Sequence, residues 1–156
     1  MKKIQIILCS FLLIISISCS KGEEVQGDTT NTNIWDGPII SFSKDDGADF
    51  TLEGNQDRIT PNVWITRGNA GQIFNIAKEN SANKNDSPIG TLWAKGTLDN
   101  IDNLTFTQFR MVGQPKAVVG TDFVLYLVED NIYLSVKFTS WSQGQKGGFS
   151  YERSSE

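Results

Sequence analysis

The chain has 156 residues, 14 basic and 18 acidic, with no histidine and with cysteines only at Cys9 and Cys19. The body of the chain therefore has no means to build a Ser/His/Asp or Cys/His nucleophile, an internal disulfide or a Cys/His metal cluster. Its acidic balance offers no basic stripe to nucleic acid, and its length suits one ordinary domain with a single core.

Met1 to Ser18 opens with Lys2-Lys3, runs apolar from Ile4 to Ile17 and ends in small residues before Cys19. This is the pattern of a secretory signal with an apolar core too short for an ordinary membrane span. Ser16-Ile17-Ser18-Cys19 resembles the lipobox of bacterial lipoproteins, with Ser16 in the place where leucine is commoner. The resemblance implies cleavage before Cys19 and acylation of that cysteine, an anchor to which each buried methylene adds about 0.8 kcal/mol. Plain secretion after cleavage nearby is the alternative. Losing Lys2 and Lys3 from the 14 basic residues leaves 12 against 18 acidic ones. Ser20, not aspartate, follows the cysteine, which by the lipoprotein sorting rule implies the outer membrane. Lys21, Glu23 and Glu24 resemble the acid-rich tether of some surface-exported lipoproteins, and a solvated linker accounts for them equally. The segment 19–33 reads as a lipidated cysteine and a flexible tether, polar and without periodicity. Asp28-Thr29-Thr30 and Asn103-Leu104-Thr105 match short glycosylation patterns that also arise by chance.

From Ile34 to Glu156, prolines at 38, 61, 88 and 115 and many Gly, Asn and Asp residues punctuate short apolar runs, as in an all-β domain. Strands are expected near Ile39 to Ser43, Val63 to Arg67, Gln72 to Ala77, Gly90 to Leu98 and Leu104 to Phe109. Three more are expected at Val118 to Val128, Ile132 to Trp141 and Phe149 to Arg153. About eight strands suit an antiparallel β-sandwich, such as a jelly roll. The stretch from Ala70 to Asn83 has room for a short helix, and Ser154 to Glu156 are expected to fray. The strongest signal is Thr121 to Trp141. A two-residue turn at Asp130-Asn131 would set Leu127 against Leu134, Leu125 against Val136 and Phe123 against Phe138, all on one buried face.

Three groups are candidate sites. Asp45, Asp46 and Asp49 lie on a glycine-containing loop and offer oxygen ligands of the kind Ca²⁺ prefers, without the EF-hand spacing or its closing glutamate. A solvated turn is the competing reading, and no other cofactor is implied. Trp64, flanked by Asn62 and near Arg67, suits a sugar ring stacked on an indole with its hydroxyls on amide and guanidinium groups; Trp93, Trp141 and Tyr151 are further aromatic candidates. Burial in the core is the alternative for each of these aromatic residues. The glycine-rich stretch from Ser142 to Gly148 lacks the P-loop pattern and reads as a mobile end loop, a natural place for ligand contact.

The stretches Asn55 to Thr60, Val63 to Arg67, Phe138 to Trp141 and Gly147 to Tyr151 look like a module of secreted and surface proteins of Gram-negative bacteria. The resemblance implies an extracellular β-domain and carries no functional residues. The expectation is a lipid-anchored outer-membrane protein, surface exposed in one version, presenting a non-catalytic polysaccharide-binding module. The alternative is a structural or assembly component binding an envelope protein, and a more remote one is a small glycan-active enzyme using paired carboxylates.

Overall fold

The computed structural model describes residues 32–114 and 117–156. The signal segment, Cys19 with its tether up to residue 31, and Asp28-Thr29-Thr30 lie outside the described residues. Within them the chain forms β1 (Asn33–Trp35), β2 (Ile40–Lys44), β3 (Asp57–Thr60), β4 (Val63–Arg67), β5 (Ile73–Asn75), β6 (Thr91–Lys95), a short helix α1 (Phe109–Val112), β7 (Asp122–Leu127), β8 (Ile132–Trp141) and β9 (Phe149–Arg153). The larger sheet runs β2-β9-β8-β7-β6, with β1 also on β8; the smaller runs β3-β4-β5. Neighbours are antiparallel except β1, which pairs with β8 in parallel. The all-β, sandwich-like expectation therefore holds.

Alternation explains which side chains meet between the sheets. Val63 and Ile65 of β4, Ile73 of β5 and Ile59 of β3 are buried against Phe123, Leu125, Leu127, Leu134, Val136 and Phe138 of the large sheet, in one continuous core. Phe138 is at its centre, with Trp93, Phe109, Phe123, Trp141 and Tyr151 at ring-centroid distances of 5.5 to 6.2 Å.

The β7–β8 hairpin keeps the expected buried face, but its register differs by two residues. Leu127 pairs with Ile132, Leu125 with Leu134 and Phe123 with Val136, so the loop holds four residues, Val128 to Asn131. A shift of two leaves every side chain on its own face, so apolar burial cannot choose between the two registers. Polar and aromatic contacts choose. The observed pairing sets Tyr126 beside Tyr133, stacked at 4.2 Å, and Lys137 beside Asp122, an ion pair of 3.0 Å. It also lets Asp130 accept hydrogen bonds from Thr60 Oγ1 and Asn62 Nδ2 across the sandwich, at 2.7 Å each.

Other expectations need correction. Leu104 to Phe109 makes no strand. Thr107 exchanges two hydrogen bonds with Trp93, and the chain then turns into α1, which inserts Phe109 at 4.9 Å from the Trp93 ring. The stretch from Ala70 to Asn83 holds β5 and turns in place of a helix. Strands β1 and β3 are only three and four residues long, too short for an apolar period to mark them in the sequence. The chain end does not fray. Ser154 is buried, donates its amide to the Ser135 carbonyl and accepts the Ser135 amide on its hydroxyl, while the Ser155 carbonyl accepts the Gly37 amide. These bonds seal the edge of β8 where β9 stops and β1 begins. A Cβ on Gly37 would lie 2.3 Å from the Glu156 carbonyl oxygen, so only glycine lets the two ends approach.

A polar cluster joins the sheets at one side of the core. Asp57 of β3 accepts from Arg153 Nε at 2.7 Å and Nη2 at 3.0 Å, a bidentate pair, and from the Tyr151 hydroxyl at 2.6 Å. Burial, with the Asp57 charge beside it, pushes the Tyr151 phenol well above its ordinary 10.0. The native state thus holds this proton after the unfolded chain would release it. The contribution is complete below about pH 10 and is lost as pH rises through the higher native value. Urea unfolding between pH 8 and 11 should show stability falling above about pH 10. Tyr151→Phe should flatten that fall; an unchanged slope would refute the assignment.

Candidate functional site

Arg67 closes β4 on its inward face, the same face as Val63 and Ile65, and would be expected to lie in apolar core. It lies instead at the end of the sandwich, where the 141–149 connection crosses it. The side chain is buried, and its guanidinium sits over the Trp141 ring at 4.0 Å. Nε donates to the Gly71 carbonyl at 3.1 Å, and Nη1 donates to the carbonyls of Ser142 and Gly148 at 3.1 and 2.8 Å. One side chain therefore ties the 68–72 turn to both ends of the glycine-rich loop. Burial pulls its pKa down from the usual arginine value, offset in part by the field of Asp46.

Trp141 faces inward because of a bulge. Phe138 pairs with Tyr151 and Ser140 with Ser150, which leaves Thr139 as an extra residue and turns Trp141 back to the core side. Strict alternation from Phe138 would have put it outside.

The loop is built on close backbone approach. Gly47 N–H donates to the Lys146 carbonyl at 2.7 Å, and Asp46 is 3.7 Å from Lys146 Nζ. Hydrogen bonding from Ser142, then the Lys146 charge and the Gly148 amide, holds the Asp46 carboxyl below its ordinary pKa. A Cβ on Gly148 would stand 2.3 Å from Asp46 Oδ1, and one on Gly147, whose φ is +76°, 2.7 Å from the Gly68 carbonyl oxygen. Glycine is required at Gly147, while a side chain at Gly148 would have to displace the Asp46 carboxylate. Lys44 is buried beside this loop, its pKa lowered by burial and then by the Arg67 charge.

Between the 68–72 turn, α1 and the start of the loop opens a cleft of about 550 Å³. Arg67 and Trp141 line it, with Gln72, Gln143 and Gln145 supplying amides and Arg110 a second guanidinium. Gln72 is buried; its Nε2 donates to the carbonyls of Asn83 and Ser87 at 2.9 Å each, which fixes the amide orientation. Its Oε1 has no hydrogen-bond partner among the described residues. An unmet buried acceptor costs about 1–3 kcal/mol.

Compared with family models, curated proteins and solved structures, the chain matches none.

The structure brings together Arg67 and Trp141 from the candidates named in the sequence, beside the end loop. It separates the others. Trp64 lies on the outer face of β4, opposite Arg67, and Asn62 in the turn before it; the Trp64 indole is capped by Arg58 at 4.3 Å and donates to the Thr60 carbonyl, and Asn62 is held by Asp130. Trp93 and Tyr151 are 1% and 2% exposed, so neither offers a surface for stacking. Trp141 is a cleft wall covered by Arg67, not an open platform. Asp49 is engaged by the amide and hydroxyl of Thr51, which hold its carboxyl below the ordinary pKa, while Asp46 turns toward Lys146. With Asp45 they do not converge, and no group of three or more metal-ligating side chains is placed to hold an ion among the described residues. Arg110 and Gln72 carry no distinguishing signal in the sequence. Arg110 stands on a helix just beyond an expected strand end, and Gln72 is of a type that begins many strands.

Proposed function

We propose that the protein is a non-catalytic binding module of the cell envelope, carried on a lipidated Cys19 at the outer membrane, and that the Arg67–Trp141 cleft takes a hydroxylated ligand of the glycan class. The observation that carries this reading is the cleft lining. It combines an aromatic wall and two guanidiniums with the amides of Gln143 and Gln145 at the mouth of one cleft. Ring hydroxyls are the donors such a lining accepts. No carboxylate lines the cleft among the described residues, so the paired acids that glycoside hydrolysis needs are not among its walls. Anchoring and localisation rest on the sequence of the leader alone.

Trp141 makes the test direct. Intrinsic fluorescence of the full chain, titrated with a panel of oligosaccharides, is expected to change saturably for at least one of them. The change should disappear in Trp141→Phe and persist in Trp64→Phe, with both variants folded by far-ultraviolet circular dichroism. A response that survives Trp141→Phe and is lost in Trp64→Phe would move the site to the outer face of β4.

A further inference from the structure

The cleft has two arginines and, among the described residues, no acid in its lining, on a chain whose acidic residues outnumber its basic ones by 18 to 14. Arg67 lies in no ion pair among the described residues. Carbonyl oxygens use its Nε and Nη1, and no hydrogen bond to a described residue uses Nη2. Neutral carbonyls satisfy donors but provide no counter-charge, so a guanidinium buried this way is under-compensated. Asp46, whose field reaches it, is itself engaged by Ser142 and Lys146. Arg110 is exposed on α1 and likewise has no ion pair among the described residues.

A planar guanidinium can hold a carboxylate through two parallel hydrogen bonds; the Arg110 fork suits that geometry, and Arg67 can add a bond from Nη2. We infer that the cleft selects an acidic glycan, its ring carboxylate held by Arg67 and Arg110 and its hydroxyls by the amides of Gln143 and Gln145. This inference rests on the glycan-binding reading and narrows it. The overall negative charge of the chain does not oppose it strongly, because exposed charges beyond about 8 Å are screened at physiological ionic strength.

The test is calorimetric titration of the full chain in detergent micelles with three probes: an oligogalacturonate, its methyl ester and inorganic phosphate. The expected result is binding of the acid, at least tenfold weaker binding of the ester, and affinity for the acid that falls as salt is raised. Arg67 also holds two loops, so its removal risks misfolding; Arg110→Gln avoids this and should weaken the acid about fivefold. Equal binding of acid and ester, or an Arg110→Gln variant that binds the acid like the parent, would overturn the selection for charge while leaving glycan binding intact. Phosphate matching the acid in affinity and displacing it would overturn the glycan carboxylate in favour of a simple anion. Binding of none of the three would remove both this inference and the glycan reading for acidic and esterified galacturonans.

Discussion

Asp57→Ala is expected to lower the unfolding free energy by about 3–5 kcal/mol, because it strands a buried cation. Arg153 is buried and takes both oxygens of Asp57, while the Tyr151 hydroxyl takes a second bond to one of them. Removing the carboxylate leaves a largely buried guanidinium, with only the Ser154 carbonyl left to it, and a buried phenol without its acceptor. The cluster also links β3 of the small sheet to β9 of the large one, so its loss loosens the sandwich along that side. Urea unfolding with an unchanged denaturant slope measures the effect, and a loss below about 1 kcal/mol would contradict it. Replacing Asp57, Tyr151 and Arg153 together with apolar residues of similar volume should recover much of the loss, because desolvating the charges costs nearly what their attraction returns.

Phe138→Ala is expected to cost a similar amount, about 3–5 kcal/mol, for a different reason. The ring is fully buried and touches five other aromatic rings from β6, α1, β7, β8 and β9. So many large, stiff neighbours cannot collapse into the space it leaves, which puts the substitution at the costly end of truncations. The neighbouring Trp141 rests on the same ring, so the variant should also shift tryptophan emission. A loss of about 1 kcal/mol with unchanged emission would mean that the core repacks freely.

The sequence disclosed the fold where the signal was apolar period. Phe123, Leu125, Leu127, Leu134, Val136 and Phe138 alternate strictly and are all buried. It did not disclose the register of that hairpin, because registers two residues apart bury the same set. The deciding contacts, Asp130 with Thr60 and Asn62, join residues about 70 positions apart. It carried no signal for the inward placement of Trp141, because the Thr139 bulge reverses the alternation and leaves no trace in hydrophobic pattern. Half of the site was legible for a related reason. Arg67, Trp141 and the glycine-rich loop were marked by residue type, whereas Arg110 and Gln72 acquire meaning only when α1 and the 68–72 turn are set beside them. The Ca²⁺ reading of Asp45, Asp46 and Asp49 finds no support on the same ground: nearness in sequence does not make their carboxylates converge.

Under the proposed function, ligand enters at the Arg67–Trp141 cleft. Backbone, indole and guanidinium N–H resonances of the full chain, followed by NMR as an oligogalacturonate is added, test this most directly. Saturable shifts are expected at the Arg67 Nε–H, the Trp141 indole and the amides of Gln143 and Gly144, with Trp64 and the outer-face Tyr133 unmoved. Shifts centred on Trp64 and Asn62, with the cleft silent, would contradict it.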